Sequence, residues 1–140
     1  MSSPQETLVL IKPDGVARNL TGEILARIES KGYQLVDIRM VQPDRDLLSA
    51  HYAEHEGKPF YEPLVNFMES GPVVAIRVAG HRVIEGIRSL SGATDPTVAA
   101  PGTIRGDLGR DWGLAVQQNL IRASDSPETA QRDVALWFSS

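Results

Sequence analysis

The sequence has 140 residues, 41% of them hydrophobic and 23% charged, and a formal net charge of −4 at pH 7. This length and composition are typical of one globular domain, which we predict over residues 1–140. The acidic balance argues against a protein that coats nucleic acid, since such binding depends on a general positive field. The chain has no cysteine, which excludes disulfides and thiolate catalysis. Its first residues are polar, and it has no apolar run long enough to cross a bilayer. We therefore predict a cytoplasmic protein without membrane contact.

The first predicted elements are a strand, a turn and a helix. Residues 7–12 (TLVLIK) are rich in Leu, Val and Ile, which is typical of a buried strand, and the segment PDG that follows predicts a turn. From residue 21 to residue 31, apolar residues share one helical face, and Gly32 is placed to end the helix. The strand therefore presents Lys12 at the edge of a loop.

The middle of the chain continues the alternation of strands and helices. A turn-forming segment, EGKP, separates two helical stretches and predicts a helical hairpin rather than one long rod. Asp44 is placed to cap the first of these helices. The predicted elements are a strand at 34–41, helices at 45–55 and 60–69, a strand at 73–78 and a helix at 82–90.

The last third of the chain differs in composition. Residues 91–113 are rich in Gly, Pro, Thr and Asp and predict a loop longer than compact domains usually hold without a functional reason. A short strand is predicted at 118–121, followed by a helix with Ser126 as its N-cap and Pro127 in its first turn. This order predicts an α/β chain of the α+β type, a ferredoxin-like βαββαβ fold whose helices cover a four-stranded antiparallel sheet.

Two short segments present cations in a way that suits phosphate. In KPDG, Lys12 stands at a strand end that is fixed by Pro and Gly; the alternative is a solvated strand end. In TIRGD, Arg105 adds a guanidinium beside a glycine that lets the backbone approach a ligand. The alternative there is a salt bridge within the loop, between Arg105 and Asp107.

Six segments between residues 8 and 126 form one ordered pattern, LVLIKPDGV, HYAEHEGKPFY, SGPVVA, GATDP, APGTIRGD and NLIRASDS, within a resemblance that runs from about residue 7 to residue 138. In this order they resemble the nucleoside diphosphate kinase family. The resemblance implies the ferredoxin-like fold, a homo-oligomer, and nucleoside di- and triphosphates held mainly by their phosphates. Mg²⁺ would be carried between phosphate oxygens, without a direct protein ligand. The implied reaction passes the terminal phosphoryl group from a triphosphate to a diphosphate through a phosphohistidine.

The resemblance also implies a nucleotide-binding role for each matching residue. Charge neutralisation of the phosphates is the shared role of the cations. The implied positions are Lys12 at the phosphates and sugar, Arg88 and Arg105 on the phosphate tail, Thr94 hydrogen-bonded to that tail, Phe60 and Val116 on the two faces of the base, and Asn119 at the sugar. Stacking on a base tolerates any base identity, because every base has a flat π-face.

Residue 122 departs from the family pattern. The family has its nucleophilic histidine where this chain has Arg122, and a guanidinium, protonated below a pKa of about 12, offers no lone pair. Arg122 can therefore bind a terminal phosphate but cannot accept it. We predict that phosphoryl transfer by this chain is impaired or lost. The catalytic positions implied by the resemblance are Arg122, Lys12, Tyr52 beside the acceptor, Ser124 and Asp133.

Other histidines do not replace the acceptor. His51 and His55 stand four residues apart on a predicted helix, which would suit a metal, but no third ligand is evident and solvated side chains are the simpler interpretation. His81 begins a predicted helix, where we expect a capping or surface role. None of the three matches the acceptor position.

Two further departures concern the last helix and a loop. The family usually orients its histidine with a glutamate, and Asp133 at this position is one methylene shorter, so a direct hydrogen bond is harder although an ion pair with Arg122 can form. The chain also has about four residues more than we expect for the family within residues 108–118, a loop that the family uses for subunit contacts. The number of subunits and the role of Val116 depend on this loop.

Two hypotheses follow from this pattern. The first is an enzyme scaffold impaired at its acceptor; the intact phosphate motifs favour an engineered substitution over a natural chain that lost transfer. The second is a non-catalytic nucleotide-binding or regulatory module, in which Arg122 adds a cation to the pocket. Nucleic-acid binding is a third idea, which the acidic balance and the lack of a basic stripe argue against.

Overall fold

The computed structural model describes residues 4–139. The strands are β1 (Gln5–Ile11), β2 (Gln34–Val41), β3 (Val73–Gly80) and β4 (Ile121–Ala123). The helices are α1 (Pro13–Ala17), α2 (Thr21–Lys31), α3 (Arg45–His51), α4 (Tyr61–Met68), α5 (Val83–Ser91), α6 (Ile104–Leu108) and α7 (Pro127–Phe138), with a 3-10 turn at Ala53–His55. All strand pairs are antiparallel, in the order β2-β3-β1-β4. The predicted four-stranded antiparallel sheet covered by helices is confirmed.

Strand β1 lies at the centre of the sheet, between β3 and β4. Its side chains alternate between two cores: Leu8 and Leu10 point to one face, while Val9 and Ile11 point to the other, and all four are fully buried. Burial on both faces explains why this strand is continuously apolar instead of alternating with polar residues. Each fully buried side chain of this kind contributes about 1.5–3 kcal/mol.

Two hydrophobic cores cover the two faces of the sheet. On one face, α2 and α5 pack onto β1 and β3; its buried residues include Ile24, Ile28, Ile76, Val83 and Ile87. On the other face, α3, α4 and α7 pack onto the same strands, with Leu48, Val65, Met68, Ala75 and Trp137 buried. Within residues 4–139, none of the helices has the length and apolar character needed to span a bilayer.

The predicted helix boundaries are confirmed where a capping residue marks them. Gly32 ends α2 with a φ of 105°, which a glycine adopts without steric strain. Asp44 caps α3 by accepting a hydrogen bond from the Leu47 amide, and Ser126 caps α7 by accepting one from the Thr129 amide.

The structure has two short helices where a turn and a loop were predicted, and one helix is shorter than predicted. The PDG segment begins α1 instead of a turn, because the fixed φ of Pro13 suits the first helical position. Inside the predicted loop 91–113, Thr103 starts α6 by accepting a hydrogen bond from the Gly106 amide. Helix α3 ends at His51, four residues before the predicted end, and the 3-10 turn follows it.

The last strand begins later than predicted. Residues 118–121 were the predicted strand, but β4 pairs with β1 only from Ile121 onward. The reason is Leu120, whose φ of 77° turns the backbone away from an extended path. Arg122 therefore lies within the strand, opposite Leu10 of β1.

Candidate functional site

A pocket of about 490 Å³ opens where the end of β1 meets β4. Three arginines and one lysine line it, together with a single carboxylate, that of Asp125. The helices on both sides of the sheet and the segment after α5 complete its walls. Seven of the predicted site residues come together here: Lys12, Tyr52, Arg88, Thr94, Arg105, Asn119 and Arg122. This excess of positive charge suits a polyanionic ligand.

Lys12 forms the floor of the pocket and is only 7% exposed, so the alternative of a solvated strand end is wrong. Its Nζ donates hydrogen bonds to Asn119 Oδ1 at 2.8 Å and to the Gln117 carbonyl at 3.3 Å. Burial lowers the pKa of Lys12 to about 8, an effect that Asp14 opposes and the nearby arginines reinforce. Two of the three ammonium donors are engaged, which leaves one for a ligand.

Arg105 projects from α6 into the same wall. It donates hydrogen bonds to the carbonyls of Gly92 at 2.9 Å, Asn119 at 3.3 Å and Ile121 at 2.6 Å. These bonds use three of its five N–H donors and leave two that can face a phosphate. Burial lowers the pKa of Arg105 to about 10, so the side chain remains a cation at neutral pH. The alternative pairing with Asp107 does not form; that carboxylate lies 2.8 Å from Arg27.

Asn119 connects two sides of the pocket and is 4% exposed. Its side-chain oxygen accepts from Lys12, and its Nδ2 donates to the Thr94 carbonyl at 2.8 Å. Thr94 and Arg88 are themselves exposed at the rim. The pocket therefore has a fixed floor and an accessible edge.

Arg122 lines the pocket from β4 with a side chain that is 27% exposed. Its Nη1 lies 3.4 Å from Oδ2 of Asp133, which forms the ion pair predicted for this shorter acid. Ser124 donates a hydrogen bond to the same oxygen at 2.9 Å. The guanidinium carbon lies 5.9 Å from the centre of the Tyr52 ring. Asp133 thus holds Arg122, Ser124 holds Asp133, and neither of the two lines the pocket.

The interpretation of His51 as a solvated helix residue is wrong. Its side chain is fully buried, because α3 packs this position against α7, where the Trp137 Nε1 donates to His51 Nδ1 at 3.0 Å. Burial lowers the pKa of His51 to about 2, and the positive charge of Arg122 contributes, so the imidazole is neutral. Its ring meets that of Tyr52 edge-on at 4.6 Å. Burial also raises the pKa of Tyr52 to about 12.

The structure does not bring the two predicted base-covering residues into the pocket. Phe60 is 48% exposed and lies outside the lining, although its ring is 5.2 Å from that of His55, which does line the pocket. Val116 is half-buried on the loop before β4 and is also outside the lining. Their roles stay predictions.

The ligand donors of the pocket do not suit a bare metal ion. Among residues 4–139, no three His, Asp or Glu side chains are grouped so that they could hold one. Mg²⁺ prefers six oxygen ligands, and Asp125 alone offers a carboxylate here. The cationic lining therefore suits an anionic ligand better than a bare metal ion.

Two residues lie at the site that were not predicted there. His55 lines the pocket, and Asp14, just outside it, accepts a hydrogen bond from the Leu120 amide at 3.1 Å. The signal for Asp14 was its position two residues after Lys12. That signal did not show which backbone group it would meet.

The family match and the relatives described here point to the same family. The model of the family described as "Nucleoside diphosphate kinase" matches residues 5–140. The nucleoside diphosphate kinase of Streptomyces avermitilis is 58% identical over 135 residues, covering 96% of this chain and 96% of the relative. That of Pyrococcus furiosus is 50% identical over 138 residues, covering 99% and 85%. Among solved structures, the halophilic nucleoside diphosphate kinase of Halobacterium salinarum in complex with CDP has a TM-score of 0.91 and 45% identity, covering 99% of this chain and 90% of that one.

Proposed function

The chain belongs to the nucleoside diphosphate kinase family, and from this premise we propose that its cationic pocket binds nucleoside di- and triphosphates together with their Mg²⁺. Membership of this family supports phosphoryl transfer between nucleotides as the reaction. The observation that carries the proposal is the convergence of Lys12, Arg88, Arg105 and Arg122 on one pocket. The CDP bound to the halophilic relative supports the same class of ligand.

In the proposed complex the phosphate tail lies between the cations. Lys12 and Arg105 line the pocket and have unused N–H donors for the phosphates, while Arg88 and Thr94 contact the tail from the exposed rim. Asn119 meets the sugar, next to Lys12. Phe60 and Val116 cover the base. Mg²⁺ supplies further neutralisation of the phosphate charge.

Arg122 decides what happens to the terminal phosphate. Its guanidinium is presented to the pocket by Asp133 and Ser124, beside Tyr52, at the position that the resemblance gives to the phosphoryl acceptor. A guanidinium has no lone pair with which to attack phosphorus, so we propose that Arg122 holds this phosphate without accepting it. The chain would then transfer phosphoryl groups poorly or not at all.

A second candidate function is a nucleotide-binding or regulatory module without turnover. The ion pair between Arg122 and Asp133 favours it, because that pair fixes an additional cation in a pocket that already has three. Such a module would bind triphosphates more tightly than diphosphates, since the additional cation meets the terminal phosphate.

Replacing the guanidinium by an imidazole tests the enzyme proposal. We expect Arg122→His to raise phosphate exchange between ATP and a nucleoside diphosphate by about a hundredfold or more, which corresponds to about 2.7 kcal/mol of barrier. An acid-labile phosphate should appear on residue 122. Adding Asp133→Glu, which restores the longer acid, should increase exchange further.

Arg39→His, a change on β2 outside the pocket, is the matched control and should leave exchange at its original level. Exchange by the unchanged chain at the rate of an active kinase would refute the impairment. If Arg122→His showed no exchange, alone or with Asp133→Glu, while the original chain bound ATP tightly, the regulatory module would remain as the function.

The remaining parts of the proposal concern the protein around the pocket. We propose a homo-oligomer, supported by the exposed apolar side chains of the edge strand β2, which are Val36, Ile38 and Met40. One domain over residues 1–140 is supported by the family match to residues 5–140. The cytoplasmic location and the engineered origin of Arg122 stay predictions, and the sequence of the genomic codon for residue 122 tests the latter.

A further inference from the structure

Leu120 has a backbone conformation that a leucine avoids. Its φ is 77°, in the left-handed region, and its side chain is fully buried. The Ile121 amide donates to the Asn119 carbonyl at 2.9 Å, so the chain closes a three-residue turn with Leu120 at its centre. Turns of this kind with a positive φ are rare and strained, and a bulky residue persists in one only where its surroundings hold it.

The junction of β1 and α1 holds both polar groups of Leu120. Its amide donates to Oδ2 of Asp14 at 3.1 Å, and its carbonyl accepts from the Lys12 amide at 2.8 Å. The two backbones are so close that a Cβ on Gly15 would lie 3.1 Å from the Leu120 carbonyl oxygen. The strained peptide is therefore bound directly to the residues that follow β1.

Asp14 is an unusual residue to find in this place. It is only 7% exposed, it lies outside the lining of the pocket, and its Oδ1 has no hydrogen-bond partner. Burial raises the pKa of Asp14, an effect that Lys12 and the backbone amides of Leu120, Asp14 and Gly15 oppose. A buried carboxylate with one unpaired oxygen destabilises a fold unless its other contacts compensate.

The residues on both sides of Leu120 point into the pocket. Asn119 precedes it and bonds to Lys12 Nζ, while Arg122 follows two residues later on β4. We infer that Asp14 is a positioning residue: by holding the Leu120 amide it fixes the turn that aims Asn119 at the nucleotide sugar. This inference rests on the proposed nucleotide function. If the turn relaxed to a negative φ, the Asn119 side chain would swing away from Lys12.

Two variants separate the hydrogen bond from the charge. Asp14→Ala removes the acceptor for the Leu120 amide, whereas Asp14→Asn retains a carboxamide oxygen that can accept it without a charge. Asp44→Ala is the matched control, because Asp44 also accepts one backbone amide but caps α3 outside the pocket. Calorimetry at pH 6.5, where Lys12 is charged, compares ATP, 3′-deoxy-ATP and inorganic triphosphate.

We expect Asp14→Ala to weaken ATP binding about tenfold, to remove the preference for ATP over 3′-deoxy-ATP, and to leave inorganic triphosphate within about twofold of its original affinity. Asp14→Asn should retain most of the preference. If both variants lost ATP affinity equally, the role of Asp14 would be to support the charge of Lys12, and the inference would be overturned. A preference for ATP over 3′-deoxy-ATP that is unchanged in Asp14→Ala would also overturn it.

A measurement on the unchanged protein keeps the inference testable if Asp14→Ala does not fold. The Leu120 amide should exchange its hydrogen as slowly as the amides of β1, and Asp14→Asn, which retains an acceptor oxygen, should leave that exchange slow. Exchange as fast as that of an exposed loop would refute the hydrogen bond. An original chain that binds neither ATP nor triphosphate would refute the proposed function, whereas tight binding with an unchanged sugar preference in Asp14→Ala would refute only the positioning role.

Discussion

Lys12 carries its charge in a place from which water is almost excluded. Burial lowers its pKa from 10.5 to about 8, against the opposing charge of Asp14 and with reinforcement from Arg105 and Arg122. Below pH 8 the ammonium is charged in both the folded and unfolded states, and the folded state carries the full cost of burying it. Between pH 8 and pH 10.5 the unfolded chain binds the additional proton.

Two opposite pH dependences follow from this single group. As pH rises from 8 to 10.5, Lys12 should make the ligand-free protein more stable, by up to about 3 kcal/mol. Over the same range nucleotide affinity should fall, because the phosphates lose a cation. Urea denaturation and calorimetry at pH 7 and pH 9.5 measure both trends.

The Lys12→Met variant measures the effect of the other groups that titrate in this pH range. Both trends, in stability and in nucleotide affinity, should be much smaller in this variant. Nucleotide affinity that stays constant up to pH 10 in the original chain would show that the Lys12 charge does not contribute to binding.

Single residues also mark the limit of prediction from sequence. Lys12 and Arg105 were predicted because each stands in a short motif whose residue types suit phosphate. Asp14 stands in the same motif as Lys12, yet its partner is a backbone amide 106 residues away. Only the pairing of β1 with β4 brings these two groups together, and no local pattern encodes that contact.

At the scale of elements, α7 connects the end of the chain to the pocket. It carries Asp133, which holds Arg122, and Trp137, which bonds to His51. Its start was predictable because Ser126 and Pro127 are local signals, and the structure confirms them. The position of β4 was not, since the turn at Leu120 is held by contacts with Lys12 and Asp14. Helix α6 begins at a local cap, Thr103, inside a segment whose Gly and Pro content favoured a loop.

Removal of the cap should weaken α7. Ser126→Ala leaves the Thr129 amide without its acceptor, and we expect a loss of about 1 kcal/mol in the free energy of unfolding. Ser30→Ala, at an exposed position within α2, is the matched control and should change stability by a few tenths of a kcal/mol at most. Urea denaturation measures both, and equal effects would contradict the capping role.

At the scale of the whole molecule, β2 is an edge strand with an apolar outer surface. Val36, Ile38 and Met40 are 41%, 44% and 65% exposed, and the strand's free backbone edge is available for pairing. A second copy of the chain is the occupant that we propose, because the family resemblance implies a homo-oligomer and a like edge can pair with itself.

Charge on this surface should separate the subunits. We expect Ile38→Lys to shift the protein from an oligomer to a smaller species at micromolar concentration in sedimentation velocity experiments. Gln131→Lys adds the same charge on the exposed side of α7 and should leave the assembly intact. An original chain that sediments as a monomer, or an Ile38→Lys variant that assembles normally, would contradict the β2 interface.

The central position of β1 has a consequence for how the protein moves. Both faces of this strand are covered, and it ends one residue before Lys12, so the deepest part of the pocket cannot separate from the rest without melting of the sheet. The rim, built from the segment after α5, is held instead by single hydrogen bonds, from Arg105 to the Gly92 carbonyl and from Asn119 to the Thr94 carbonyl. Nucleotides would thus enter and leave by local opening of one side, while the opposite side behaves as a rigid wall throughout.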